Sequence, residues 1–86
     1  MTTDIATPIV TNNGTSREAL KAQQMEILRA AHVLAGALAD AYPNGRDYIG
    51  DGARFAAAMT QHDARIAAVG DIIRDATNIV IALRKS

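Results

Sequence analysis

Two histidines and one carboxylate are the residues of this chain best suited to chemistry. His32 and His62 lie in separate alanine-rich stretches, and Asp63 follows the second histidine. Two imidazoles and a carboxylate can ligate zinc or titrate as a pH-sensitive pair. No HxxxH or HxxE spacing accompanies them, and His62 lies on an apolar face where a hydrogen-bonded core histidine is the alternative. We predict no metal site and no cofactor, with His32 and His62 as the only candidate ligands.

The segment between the two stretches, residues 43–52, is a candidate ligand loop. Its glycines stand among charged and aromatic side chains, and the candidate site is Arg46, Asp47, Tyr48 and Arg54. Backbone N–H groups at the start of the following helix, together with two arginines, can bind a phosphate or a carboxylate. The lysine and Ser/Thr of a P-loop are missing. The alternative is a loop held by its own ion pairs, either Arg46 with Asp51 or Asp47 with Arg54.

Few residues in this chain are suited to catalysis. Cysteine is absent, and the only serines, Ser16 and Ser86, lie at a predicted helix cap and at the chain end. Asp71 and Asp75 share a helix face, but Arg74 adjoins them, which favours a solvent-exposed surface. We therefore expect no enzymatic activity.

The charge and size of the chain restrict its partners. Nine basic and nine acidic side chains cancel, so no net field attracts nucleic acid or an anionic membrane. Charged residues interrupt every apolar run before the ~18 residues that a membrane span needs. We expect neither nucleic acid nor membrane as a partner. A chain of 86 residues buries a small fraction of its surface, which favours self-association or a larger protein assembly.

A heptad pattern predicts one long helix, from about residue 53 to residue 84. Its positions alternate in steps of four and three: Phe55, Met59, His62, Ile66, Val69, Ile73, Ala76, Val80 and Leu83. A first helix is predicted from about residue 15 to residue 42, because Thr15 and Glu18 fit a capping box and Pro43 would end it. Its apolar face is formed by Leu20, Ile27, Ala31, Leu34, Leu38 and Ala41.

These elements predict an all-α fold, an antiparallel two-helix hairpin of the coiled-coil kind, over residues 15–86. Residues 1–14 lack a helical period and are predicted to form an extended N-terminal arm. A turn centred near residue 47 would place opposite each other residues whose numbers add to about 94. Phe55 would then meet Leu38, and His62 would meet His32.

In this register the longer second helix leaves apolar side chains uncovered. Val80 and Leu83 extend past the start of the first helix, and Ile72 and Ile79 flank the contact. The arm or another subunit must cover them, because each exposed Ile or Leu forgoes roughly 1.5–3 kcal/mol. We predict a homo-oligomer, or a subunit of a larger assembly, with the following interface residues: Ile5, Ile9, Val10, Ile72, Ile79, Val80 and Leu83.

The loop resembles that of a group of small, uncharacterised bacteriophage proteins, in which a helical hairpin is broken by a Pro-Asn/His-Gly-Arg-Asp-Tyr segment. The run that carries the resemblance is Tyr42-Pro43-Asn44-Gly45-Arg46-Asp47-Tyr48. It covers the hairpin and not the arm. It implies a phage or prophage source and a location in the virion or the host cytoplasm. The roles it implies are those of a virion component or a host-directed binder, including oligomeric helical proteins that sequester nucleotide signals.

The layout is also similar to that of type III secretion needle subunits, although their turn is compact and this loop is long and glycine-rich. We predict a non-enzymatic structural or assembly subunit that packs through its helices and arm. The alternative is an oligomeric binding module that presents residues 46–54 to an anionic small ligand or a host protein. A needle-like subunit is the third possibility.

Overall fold

The computed structural model describes residues 5–85 and shows two helices joined by a short loop. Helix α1 is Arg17–Asp40, a 3₁₀ turn follows at Gly45–Tyr48, and helix α2 is Gly52–Lys85. No strand occurs within residues 5–85. The predicted all-α helical hairpin is therefore confirmed, with helix ends close to the predicted ones.

Polar side chains fix where both helices begin. The hydroxyl of Ser16 accepts a hydrogen bond from the Ala19 N–H at 3.1 Å, so Ser16 is the N-cap of α1. The capping box predicted at Thr15 is therefore wrong by one residue. Before α2, the Asp51 carboxylate accepts a hydrogen bond from the Arg54 N–H at 2.9 Å. Each side chain satisfies a backbone donor that has no partner within its helix.

The loop is tighter than its length suggests. The side chain of Asn44 accepts a hydrogen bond from the Arg46 N–H at 3.0 Å and begins the 3₁₀ turn. Gly50 then takes a φ of 83°, a left-handed conformation that L side chains rarely adopt. This change of direction leads the chain into α2.

Residues whose numbers add to about 100 lie opposite each other across the hairpin. Ala31, Leu38 and Val69 share one buried cluster, and the Nε2 of His62 lies 2.6 Å from the carbonyl oxygen of Leu38. The predicted register was wrong, because the loop runs back alongside the first turns of α2, with Gly45 and Tyr48 both against Phe55, and α2 therefore begins beyond the end of α1. Phe55 consequently stacks on Tyr48, with ring centroids 5.7 Å apart, instead of meeting Leu38.

This register covers the C-terminal part of α2 within one chain. Val80 lies about opposite Leu20, and Leu83 lies about opposite Arg17, where α1 begins. Val80 is 5% exposed and Leu83 is 1% exposed. Both side chains are therefore covered within one chain, without a second subunit. Their packing also stabilises a β-branched stretch that has weak intrinsic helix propensity.

The core within residues 5–85 is a narrow strip of mostly small side chains. Its buried members are Ala31, Leu38, His62, Val69, Ala76, Val80 and Leu83. On α2 these residues follow the predicted heptad pattern, but Ile66, another predicted position of that pattern, is 39% exposed. On α1 the buried face is rotated from the predicted one, since Ile27 and Leu34 remain 42% and 48% exposed while Ala35 packs against the core.

The chain is long and thin. It measures 62 × 26 × 17 Å, and its radius of gyration of 18.0 Å exceeds the about 12 Å of a compact domain of this length. In the arm, Pro8 and Val10 are half-buried and Ile9 is 85% exposed. Two helices in a single layer leave one flank of each helix without a neighbour.

Candidate functional site

The structure separates the two histidines that were the candidate metal ligands in the sequence. His62 is buried on α2, whereas His32 is exposed on α1, six residues or about 9 Å of helix before the Leu38 that His62 contacts. Within residues 5–85 no three histidine, cysteine or acidic side chains are grouped closely enough to hold a metal ion. The predicted register placed His32 opposite His62, and this pairing was wrong.

His62 is a core histidine held in one tautomer. A carbonyl oxygen can only accept, so Nε2 carries the proton that is donated to Leu38. The Nδ1 atom lies 3.5 Å from an Arg65 guanidinium nitrogen, which can only donate. The partner of Nε2 is a carbonyl in the last turn of α1, where intrahelical donors run out.

Tyr42 contacts both this histidine and the residue that follows it on α2. Its ring meets the His62 ring edge-on, with centroids 5.3 Å apart and an interplanar angle of 84°. Its hydroxyl donates a hydrogen bond to Asp63 at 2.8 Å. This hydrogen bond raises the pKa of Tyr42, and burial and the Asp63 charge act in the same direction. The loop end of α1 is thereby fixed to α2.

The ion pairs suggested for the loop are replaced by a different one. Arg54 pairs with Asp51 at 3.6 Å, so neither Arg46 with Asp51 nor Asp47 with Arg54 forms. Both partners of the observed pair are solvent-exposed, and such a pair contributes about 0.2–1 kcal/mol. Its main effect is to orient Asp51 as the cap of α2.

A cavity of about 340 Å³ opens between the loop and α2. Its lining is Ala41, Tyr42, Pro43, Asp47, Tyr48, Ala58, Gln61, His62 and Arg65. The structure thus places two of the four predicted loop residues, Asp47 and Tyr48, at the cavity, and Arg46 and Arg54 outside its lining. The cation of the cavity is Arg65, which sequence reasoning missed. Its position three residues after His62, on the same side of a helix, was the available signal.

A second opening is almost entirely apolar and lies between the two helices. This groove has a volume of about 240 Å³ and is lined by Ile27, Ala30, Ala31, Leu34, Val69 and Ile72. We call this lining the groove face. Three of its large side chains, Ile27, Leu34 and Ile72, are 42%, 48% and 47% exposed. Exposed apolar side chains are normally scattered singly on a monomer surface, so the grouping of these three around one groove is unusual.

The predicted partner interface is divided by the structure. Val80 and Leu83 are buried within the chain and are not accessible to a partner. Ile72 lies on the groove face, and Ile79 is half-buried two turns of helix further along α2. In the arm, Ile5 and Ile9 are 37% and 85% exposed, and Val10 is half-buried.

Comparisons with protein-family models, with curated proteins and with solved structures returned no match to this chain. Neither helix within residues 5–85 combines the length and apolar character that crossing a membrane requires. The geometry of the groove face and of the loop cavity is therefore the basis for assigning a function.

Proposed function

We propose that this protein is a non-enzymatic assembly subunit that packs into a larger complex through its groove face. The observation that carries this proposal is the group of exposed Ile27, Leu34 and Ile72 around an apolar groove made by both helices. The resemblance of the loop to that of small bacteriophage proteins suggests a virion or its assembly as the setting.

The surface area of the chain supports this proposal. A compact protein of 9.1 kDa exposes about 4,900 Å², whereas this chain exposes 6302 Å². The excess agrees with the elongated shape of the chain, 62 × 26 × 17 Å. Covering the three large groove side chains would add roughly 1 kcal/mol or more for each, since about half of each one is already buried.

The experiment compares two neighbouring positions on α1. Leu34→Asp places a charge on the groove face, and Val33→Asp places it at a 65% exposed position outside the groove lining. We expect the native chain to sediment as an oligomer, Leu34→Asp to dissociate it, and Val33→Asp to leave it intact. A native chain that sediments as a monomer at high concentration, with helicity unchanged by Leu34→Asp, would contradict the proposal.

The loop cavity supports a second candidate function, a binding module for a small anionic ligand. Arg65 supplies a cationic group there, and Tyr48 supplies an aromatic ring that Phe55 backs by stacking at 5.7 Å. A volume of about 340 Å³ lies in the range of small-molecule sites, roughly 300–1,000 Å³. Asp47 in the same lining opposes binding of a highly charged anion.

This second candidate is tested with inorganic phosphate and adenosine monophosphate as probes. We expect the amide signals of Tyr48 and Gln61 to shift in a nuclear magnetic resonance titration, and Arg65→Gln to abolish the shift. Arg54→Gln is the matched control, because Arg54 pairs with Asp51 and lies outside the cavity lining. Spectra that do not respond to millimolar concentrations of either probe would exclude the binding function for anions of this class.

A further inference from the structure

The two flanks of the hairpin differ in charge. With about 100° per residue, α1 presents one charged residue beside the groove face, Glu26, which lies about 40° from Ala30 and pairs with Arg29, and the other residues there are uncharged. These are Leu20, Gln23, Ala37 and Ala41. On α2 the residues beside the groove face, which we call its rim, include two charged ones, Arg65 and Asp75. The opposite flank carries more charged side chains: Arg17, Lys21, Asp63 and Arg84. The groove flank is therefore the one that loses least on leaving water.

We propose that the occupant of the groove face is a second copy of this chain. The two copies are related by a two-fold axis that lies in the plane of the interface, crosses the centre of the groove and runs perpendicular to the helices. This inference rests on the proposed assembly function and specifies its partner. The axis makes α1 pack antiparallel to α1, and α2 antiparallel to α2, in a four-helix arrangement.

The groove face is self-complementary about this axis. On α1 the groove runs from Ile27 to Leu34, so the axis passes midway between them and sets each against the other in the second copy. On α2 the exposed large side chain of the groove face is Ile72, since Val69 is 5% exposed and packs in the core of its own chain. The same operation brings Ile72 of the two copies together on either side of the axis. Ala30 and Ala31, at the centre, leave room for the large side chains that enter from the partner.

The two rim charges also become complementary about the axis. Arg65 and Asp75 lie five residues to either side of residue 70, and the α2 part of the groove is centred next to that residue. Arg65 of each copy then faces Asp75 of the other. Within residues 5–85 of one chain, Arg65 forms no ion pair, and its contact to His62 is long at 3.5 Å. Asp75 already contacts Arg74 of its own chain at 3.4 Å, so Arg65 of the second copy shares this carboxylate with Arg74. An isologous dimer therefore gives Arg65 a carboxylate partner at both ends of the interface.

The area available is sufficient for such a dimer. The chain exposes about 1,400 Å² more than a compact protein of its mass. A standard interface buries about 800 Å² on each partner. Half of the excess, together with normally exposed surface around it, is enough for an interface of this size.

A charge-swap experiment tests this arrangement. We expect Arg65→Asp and Asp75→Arg each to weaken the dimer about tenfold or more in sedimentation equilibrium, because each sets like charges against one another at both ends. The double variant restores opposite charges, and we expect it to recover most of the native affinity. Asp40→Arg is the control, since Asp40 is exposed at the end of α1 and lies beside neither rim charge. It should leave the dimer intact.

The outcomes separate this inference from the function on which it rests. If Leu34→Asp dissociates the complex but the charge swap does not recover affinity, the proposed axis is wrong and the assembly function stands. The same conclusion holds if the native complex contains other than two copies. If the native chain stays monomeric, and Leu34→Asp and the charge variants do not change its sedimentation, both the dimer and the assembly function are contradicted.

Discussion

The Nε2 of His62 lies 2.6 Å from the carbonyl oxygen of Leu38, and this contact marks where the two helices of the hairpin are in register. It joins a side chain on α2 to the last turn of α1, where Ala37 and Ala39 accept hydrogen bonds from the backbone N–H groups of Ala41 and Tyr42 and Leu38 accepts one from His62. Tyr42 and Asp63 extend the connection through a 2.8 Å hydrogen bond. The loop cavity and the groove face lie on either side of this junction.

Replacing His62 tests the junction directly. His62→Phe keeps a ring of similar shape but removes the donor, and the Leu38 carbonyl is then left buried without its partner. We expect the free energy of unfolding to fall by about 1–3 kcal/mol in urea denaturation. His32→Phe, at an exposed position, should change it by about 0.5 kcal/mol or less. Equal effects of the two substitutions would show that the contact with Leu38 does not stabilise the fold.

The hydrogen bond from Tyr42 to Asp63 predicts a pH dependence. It raises the pKa of Tyr42 above the ordinary tyrosine value of about 10. The folded chain therefore holds this proton more tightly than the unfolded chain does. The resulting stabilisation is complete at pH values below the ordinary tyrosine pKa. It is lost as the pH rises through the raised pKa of Tyr42 in the folded chain.

Absorbance titration of a Tyr48→Phe variant, in which Tyr42 is the remaining tyrosine, measures this pKa. Adding Asp63→Asn should bring the pKa back toward its ordinary value, because the negative charge that opposes ionisation is removed. Identical titration curves with and without Asp63→Asn would show that the two side chains do not interact in solution.

Replacing each of two glycines by alanine should change the stability of the fold in opposite directions. Gly50 has a φ of 83°, so Gly50→Ala should destabilise the fold by roughly 1–2 kcal/mol. Gly36 lies inside α1, and an added Cβ there would meet nothing within 4 Å. Gly36→Ala should therefore stabilise the fold by about 1 kcal/mol. Thermal unfolding of both variants checks the signs, and destabilisation by Gly36→Ala would indicate that another chain packs closely at that position.

Adjacent positions on α2 distinguish the core from the surface. Val80 is 5% exposed and Ile81 is 42% exposed, although isoleucine is the larger side chain. We expect Val80→Ala to cost about 2 kcal/mol of unfolding free energy and Ile81→Ala less than half as much. Denaturant unfolding at low protein concentration separates this effect from association. The reverse order would return Val80 to the partner interface and contradict the observed register.

The spacing of residues along the chain was sufficient to predict the helices. Heptad spacing on α2 identified the buried residues from His62 to Leu83, because a helix places every third or fourth side chain on one face. Pro43 marked the end of α1, since its ring cannot be accommodated in a helix interior. These are local constraints, and each acts within a few residues of the position that carries it.

The register could not be predicted in this way. It depended on how many loop residues the turn consumed, which the 3₁₀ turn, the left-handed Gly50 and the contact of His62 with Leu38 decided together. The numbers of opposed residues add to about 100 and not to about 94 as predicted. This shift changed which side chains are buried. It buried Val80 and Leu83 and left Ile27 and Leu34 on the surface.

The sequence by itself therefore determined that the chain forms two amphipathic helices, since periodicity and helix-ending residues act locally. Only the tertiary structure decided which flank of the hairpin lacks a cover and which side chains line the loop cavity. Both depend on how one helix is placed against the other, and packing across the whole interface sets that placement. Ile72 was identified from sequence as a flanking residue, but its grouping with Ile27 and Leu34 became visible only once the helices were paired.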